Sequence, residues 1–516
     1  MARLYEYQGK ELLKTRKIPI PRGGVASTPQ EAKEIAEKLD CPVVIKAQAW
    51  VTGRAALGGI KFAASPQEAQ QCAADILGRK FKGVTVEKVL VEEKLDIERE
   101  FFASIIIDDQ KRGPVAIFSS KGGTGIEEIA RQYPSQIAFR QINVFSGLRD
   151  YQARNLVRQT GLTGGLQLKV GTVLTRLYQL ARQYEARSAE LNPLVVTRSG
   201  DVIAADCRIA IDDYAVFRHP ELGIEIAREL DRPATPLEKI AYKVEEGDFR
   251  GTFYFIQLTE DFNKDEGYIG FHGAGGGGSM MSMDALLKRG YKLANFCDTS
   301  GNPPASKVYR AAKIILSQSN IDGYFASGSG VASQEQFHSA RGLVKAFLEE
   351  NLSIPAVIRL GGNSEEKAIE IIQTYTKDLP APVEGYGRDD TPDFCVSRLD
   401  KLLSKHKVKP SPPAAQSKGS PQGDLYSFDT LTGTLRIDHS QCLACQSKVC
   451  VKECIPKILK IEGEKAVLAI TTEEAKKGGC IECLACELAC RFHGNQAISI
   501  LLPIPELEDY RRERML

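Results

Sequence analysis

The chain has 516 residues, 43% of them hydrophobic and 26% charged, with a formal net charge of +2 and 13 cysteines. That is the composition of soluble globular proteins, in an amount suited to roughly three or four domains. The balanced charge, with no basic stripe interleaved with aromatics, excludes nucleic acid as an implied partner. The start, MARLYEYQGKELLK, has no secretory pattern, and no apolar run approaches the roughly 18 residues of a membrane span, so the chain reads as cytoplasmic.

Along the first region, β-branched runs at 42–47, 88–92, 101–107, 115–119 and 191–197 predict strands. Apolar spacing near 3.6 predicts helices over 31–39 and 174–187. Lys46 ends an apolar strand and is followed by the glycine-bearing segment QAWVTGRAALGG. A lysine there can place a point charge on phosphates, although a solvated strand-end lysine is the commoner outcome. Further on, ELNPLVV and DVIAAD form a hairpin-like pair that sets Asn192 opposite Asp206. One amide oxygen and one carboxylate suit Mg²⁺, which takes its remaining ligands from water and phosphates.

A Pro-containing stretch at 228–237 separates this region from a second, where strands at 268–271, 322–326 and 356–360 alternate with helices at 281–288, 307–316, 335–349 and 365–375. Such alternation predicts a parallel sheet covered on both faces. His272 stands at the mouth of the turn FHGAGGGGS. It either takes phosphate there or is a neutral histidine bonded to its surroundings. Ser333 and Gln336 have capping-box spacing and predict a helix start.

Residues 405–424, rich in Pro, Ser, Lys and Gly, read as a linker, after which a separate module follows. Five cysteines are scattered over the chain before it, as small buried hydrophobes are, but eight crowd into 442–490. They form two runs, Cys442, Cys445, Cys450, Cys454 and Cys480, Cys483, Cys486, Cys490. In two-cluster ferredoxins the fourth cysteine of each run ligates the other cluster. One quartet is then Cys442, Cys445, Cys450 and Cys490, the other Cys480, Cys483, Cys486 and Cys454. The alternative is two four-cysteine zinc sites, which usually prefer CxxC pairs separated by a long loop. The tail 505–516 reads as a solvated charged end or a docking helix.

In order and spacing, YEYQGKELL, VVIKAQ, GR with GG after it, LVEEKLDIERE, SSKGGTGIEEIA, ELNPLVV, GAGG, ANFCDTSGNPP, AAKIILS and IPAVIRLGGNSEE resemble the β subunit of succinyl-CoA synthetase, an ATP-grasp family, over about 1–404. The module at about 425–505 resembles a bacterial 2[4Fe-4S] ferredoxin, with its first loop widened to four residues between Cys445 and Cys450. The resemblances imply an ATP-grasp domain (1–227), a flavodoxin-like parallel α/β CoA-ligase domain (238–404), a linker (405–424) and a small ferredoxin-like α+β iron-sulfur domain (425–516).

They further imply ATP/ADP or GTP/GDP binding at Lys46, Gly53, Arg54, Glu92, Leu95 and Glu100, with Mg²⁺ on Asn192 and Asp206. Gly330, Val331, Ala332 and Ser333 fall at the family's phosphate-holding helix start. His272 replaces the Asn that precedes Gly-Ala-Gly, and Ala55-Ala56 replace a Gly-Lys pair. CoA and the phosphorylated histidine belong, by the same resemblance, to an α-like partner subunit. The expected activity is that of an ADP-forming acid–CoA ligase beside an oxidoreductase partner. Two alternatives stay open. In one, the chain is an iron-sulfur subunit of a redox complex whose grasp fold drives, gates or scaffolds electron transfer; in the other, it is a regulatory subunit without catalysis.

Overall fold

The structure is a computed structural model. It describes residues 2–514 except 52, 82–83, 123–129, 132, 225–231, 233, 248–250, 329, 331 and 407–423. Two compact units result, Met1–Ala234 and Thr235–Leu516.

The first unit carries two antiparallel sheets. In the smaller, the strand order is Gly23–Ala26, Val89–Glu93, Val43–Ala47, Ile60–Ala63. Two helices, Pro29–Leu39 and Pro66–Ile76, pack on it and on each other, and their starts repeat one signal. Thr28 and Ser65 each accept a bond from the backbone N–H three residues on, with proline at the first helical position. The larger sheet is built around the long strands Ile97–Asp108 and Ala186–Thr197, with Cys207–Ile211 beside the latter and Gly113–Ser119 beside the former. Its apolar face is filled by helices Asp150–Gln159 and Gly164–Gln183. The helix expected over 174–187 therefore begins ten residues sooner and ends at Gln183. Glu185 turns left-handed (φ 50°), and Ala186 already belongs to the sheet.

In the second unit the expected α/β alternation is present. Strands Tyr268–Ala274, Gly323–Gly328, Ala356–Arg359 and Val383–Tyr386 run parallel in neighbouring positions, and Tyr254–Gln257 closes one edge antiparallel to Asn295–Asp298. Helices Ala305–Leu316 and Phe337–Glu349 lie together on one side, and Gly276–Lys288 packs with Pro392–Lys405.

The cysteine segment adds a three-stranded sheet (Leu425–Asp429, Thr434–Asp438, Ile498–Leu501), a hairpin (Leu459–Glu462, Lys465–Leu468) and the helix Ala485–His493. It is not merely tethered. Leu435, Ile437, Cys486 and Ile500 join the same apolar cluster as Ala311, Ile315, Leu343 and Phe347. The buried Arg310 bonds to the carbonyls of Thr432 and Pro503. The charged tail docks too: helix Leu507–Glu513 buries Leu507 and Tyr510, and Arg511 bonds Ser317 and Glu350 at 2.7 and 2.9 Å. Among the described residues no helix is long and apolar enough to cross a membrane.

Candidate functional site

Lys46 is the last residue but one of strand Val43–Ala47, and it is buried rather than solvated. Its Nζ lies 2.8 Å from Glu6 Oε1, 2.9 Å from Glu92 Oε2 and 2.6 Å from the carbonyl of Ala205. Lys10, one helical turn after Glu6, pairs with the same two carboxylates at 2.9 and 2.5 Å. Arg54 joins Glu6 (2.8 Å) to Asp206 (2.7 Å) and reaches the carbonyl of Ala47. Three cations and three anions thus form one network. Burial works to raise the Glu6 carboxyl, yet Lys46, Lys10 and Arg54 hold it far below the usual range. Burial opposes the Lys46 charge as well, but Glu6, Glu92 and Asp206 outweigh it and its pKa is raised. Asp206 is pushed up by burial and by the neighbouring Glu6 carboxylate.

The network borders a cavity of about 310 Å³ lined by, among others, Gly53, Arg54, Glu190, Asn192 and Asp206. Asn192 N–H donates to the Asp206 carbonyl at 3.2 Å, which fixes Asp206, just before strand Cys207–Ile211, beside Asn192 in the neighbouring strand. Glu190, Asn192 and Asp206 present hard oxygen donors of the kind Mg²⁺ takes, leaving the rest of its shell for water and phosphate. Glu92, expected at the nucleotide pocket, is a buried ion-pair partner of Lys10 and Lys46, 1% exposed, and neither Glu92 nor Lys46 is in the cavity lining. Leu95 and the exposed Glu100 are not in the cavity lining. Glu6, Lys10 and Glu190 were missed; the Glu6–Lys10 spacing of four was the one available signal.

The Ser333/Gln336 capping box does not form. Helix Phe337–Glu349 begins after Gln336, and Ser333 Oγ instead accepts from Asn302 Nδ2 at 3.0 Å. Asn302 Oδ1 also accepts from Gln334 N–H, and Asn363 bonds the Ser333 carbonyl, so the segment is held as a loop. Ala332 bridges Gly362, whose φ of 143° and 2.7 Å Cβ approach to the Ala332 carbonyl require glycine. Gly330 is left-handed at φ 78°, and Val331 lies outside the described residues. A cleft of about 470 Å³ opens here, lined by Gly251, Ser300, Asn302, Ser333, Gln334 and Glu335. Hydroxyls and amides dominate it.

The phosphate role expected of His272 is corrected by its burial. It is 3% exposed, Nδ1 lies 2.6 Å from Tyr324 Oη and Nε2 3.3 Å from Thr299 Oγ1. Thr299 donates its own proton to the Gly273 carbonyl, so it accepts from His272 Nε2–H while Tyr324 donates to Nδ1. Burial lowers the His272 pKa to about 3. It is a neutral, fully bonded side chain.

All eight clustered cysteines are buried and free of disulfides. Burial and then the charges of Cys490 and Cys442 raise the Cys450 thiol to about 12. Burial, followed by Cys483 and Cys454 among its causes, does the same for Cys480. Cys486 has Cys483, Cys480 and Cys454 as its sulfur neighbours, and Cys490 has Cys445 and Cys442. The sulfurs thus fall into two groups, one around Cys442, Cys445, Cys450 and Cys490 and one around Cys454, Cys480, Cys483 and Cys486. Cys454, Cys480, Cys483 and Cys486 border a gap of only about 10 Å³ with Leu435, Ile458, Leu459 and Ile500. Backbone N–H groups point at the sulfurs, Ala466 to Cys442 at 3.3 Å and Ala497 to Cys490 at 3.1 Å. Among the described residues no three His, Cys, Asp or Glu side chains form a ready site for a metal ion.

A model of the ATP-grasp domain matches residues 3–196, and one described as ATP citrate lyase citrate-binding matches 256–397. The β subunit of a GDP-forming succinate–CoA ligase from Thermus thermophilus is 40% identical over 370 residues, covering 72% of this chain and 93% of that protein. The β subunit of the ADP-forming enzyme of Methanothermobacter thermautotrophicus is 37% identical over 372 residues, with coverages of 72% and 93%. Among solved structures, ATP citrate lyase from Methanothrix soehngenii, in complex with citrate and coenzyme A, shares the fold at a TM-score of 0.62 and 17% identity, covering 78% of this chain and 99% of that one. An antiparallel grasp sheet with its cavity, a parallel α/β portion after it and relatives matched over nine-tenths of their length agree: the chain belongs to the succinate–CoA ligase β-subunit family.

Proposed function

We propose that the chain is the nucleotide-handling β-type subunit of an ADP-forming acid–CoA ligase, with an iron-sulfur electron-transfer module fused to it. Residues 1–227 bind the nucleotide, 238–404 contribute to the acid and phosphoryl site, and 425–516 hold two [4Fe-4S] clusters. The observation that carries the ligase half is the cavity where Arg54, Asn192 and Asp206 meet. Asn192 and Asp206 hold Mg²⁺, which when bound offsets phosphate charge. Lys46 and Arg54 supply the fixed cations, and the guanidinium suits phosphate oxygens bidentately. Phosphate passes from ATP to a histidine of an α-type partner and on to the acid. Its acyl phosphate is then taken by the CoA thiol with release of phosphate. His272 stays outside this relay.

The acid fits the hydroxyl- and amide-lined cleft at Ser300, Asn302 and Ser333, beside the Gly330–Ala332 loop expected to hold phosphate. The citrate-binding match over this portion makes citrate the first acid to assay next to succinate. The test is CoA-thioester formation from MgATP and each acid, under anaerobic conditions, with the co-purifying partner subunit present. No turnover of either acid, and none of acetate, overturns the ligase reading.

The iron-sulfur half is supported by the grouping of the sulfurs in two fours and by the N–H groups directed at sulfur. When bound, the clusters supply one-electron transfer to an unseen redox partner. Iron and sulfide analysis of anaerobically reconstituted protein tests it; stoichiometric zinc without iron overturns it. A second reading, in which nucleotide gates electron transfer, is favoured by the shared apolar core of the cysteine segment and the ligase portion. Cluster potentials that do not move with MgATP would remove it.

A further inference from the structure

Helix Phe337–Glu349 begins just after the Ser333 loop and packs against helix Ala485–His493, which bears Cys486 and Cys490. Their contact is charged and buried: Lys345 Nζ lies 2.7 Å from Glu487 Oε1 and 2.8 Å from Glu349 Oε1. One turn earlier on the same face stands Arg341. It is 5% exposed, its guanidinium lies 4.8 Å from the centre of the Phe337 ring, and its Nη1 has no hydrogen-bond partner among the described residues. A buried guanidinium with a free N–H is unfavourable unless an anion lies close by. Burial works against its charge, and the ionisable groups that act in its favour are Cys483, Glu453, Tyr375 and Cys486. Two of these are thiols of one quartet, and none belongs to the other.

We propose that Arg341 is the charge partner of the cluster held by Cys454, Cys480, Cys483 and Cys486, so that the ligase portion of the chain sets part of that cluster's reduction potential. The proposal rests on the iron-sulfur reading above. One electron from an external low-potential donor enters the cluster, which gains one negative charge; no bond breaks and no proton moves. Arg341 stays protonated throughout, and its fixed charge favours the reduced state in a low-dielectric setting.

The experiment is an EPR-monitored titration with dithionite of the full-length, anaerobically reconstituted protein. Wild type is compared with Arg341→Met, Arg341→Lys and Lys448→Met; Lys448 Nζ lies 4.0 Å from Cys442 Sγ in the other quartet and so marks that cluster. Arg341→Met is expected to disfavour reduction of one cluster by tenfold or more, which is ~59 mV for a one-electron couple. The cluster that responds to Lys448→Met stays unshifted, and Arg341→Lys recovers most of the loss. Should Arg341→Met lose iron, Arg341→Gln takes its place. With iron content intact, a variant that shifts neither cluster, both equally, or the Lys448-responsive one overturns the proposal while leaving the clusters standing. A wild-type chain that takes up no iron overturns the iron-sulfur reading, and the proposal falls with it.

Discussion

The grasp interior and the cysteine interior are both buried and polar, but only one is complete in itself. In the first, Lys10, Lys46 and Arg54 meet Glu6, Glu92 and Asp206 within hydrogen-bond reach. In the second, thiols such as Cys450 and Cys480 are pushed up to about 12, chiefly by burial, and sulfur faces sulfur. A balanced ion network folds without its ligand. A shell of buried thiols is stable only around a guest that makes them thiolates. The nucleotide cavity should therefore tolerate removal of its ligand, whereas the cysteine segment should not.

The largest effect expected from breaking that contrast is at Cys486, which is buried and has Cys483, Cys480 and Cys454 as its sulfur neighbours. Cys486→Ala should remove one cluster whole, halving iron and sulfide, and should lower the unfolding temperature of the second unit, whose core includes this residue. Iron analysis with calorimetry reads both. If iron falls to zero, or not at all, the two quartets are not the independent sites their crossed neighbourhoods indicate.

Next in size is the grasp network. Lys46→Met leaves Glu6 and Glu92 facing one cation fewer in a buried site, which costs about 3–5 kcal/mol. Denaturant unfolding of the first unit measures the loss, and MgATP affinity should fall on the order of 100-fold, about 2.7 kcal/mol. Unchanged stability would mean that the network relaxes into water and that the contrast with the cysteines is overstated.

Local signals proved legible where they are self-sufficient. The alternation of apolar strands and helices in 268–375 needs only neighbours in sequence, and so does the Thr-Pro-Gln-Glu or Ser-Pro-Gln-Glu start of each early helix. What stayed hidden depends on partners far along the chain. Lys10 meets Glu92 across 82 positions, so Glu92 looked like a pocket residue. Ser333 spends its hydroxyl on Asn302, 31 residues away, and the capping box is lost. Arg341 carried no signal at all, since its neighbours are thiols some 140 residues on.

The pair Lys345–Glu487 joins the two portions of the second unit and tests the contrast from between its terms. Burial works against the Lys345 charge, yet Glu487 and Glu349 outweigh it and raise its pKa, while burial raises the Glu487 carboxyl against the pull of Lys345. Lys345→Met should cost about 3 kcal/mol by stranding Glu487, and Lys345→Met with Glu487→Met should recover much of it. Both are read from the denaturant midpoint of the iron-loaded protein. Additive losses would show that the two side chains are held independently.

His272 gives the smallest and the most specific expectation. Its pKa falls from 6.5 to about 3 on folding because the ring is buried. Between those values the unfolded chain binds a proton that the folded one does not, so stability rises with pH. The contribution is fully present above about pH 6.5 and declines by about 1.4 kcal/mol for each pH unit below it, until it is lost near pH 3. Asp206 and Glu487, whose carboxyls burial raises, add a slope of the opposite sign, so the histidine's share is the difference between the wild-type and His272→Gln profiles. His272→Gln should remove a slope of about 1.4 kcal/mol per pH unit just below pH 6.5 while leaving thioester formation within about threefold, because the ring bonds Tyr324 and Thr299 and not the acid cleft. A thousandfold loss of turnover with stability intact would return phosphate chemistry to this residue, and with it the possibility that the chain needs no histidine from a partner.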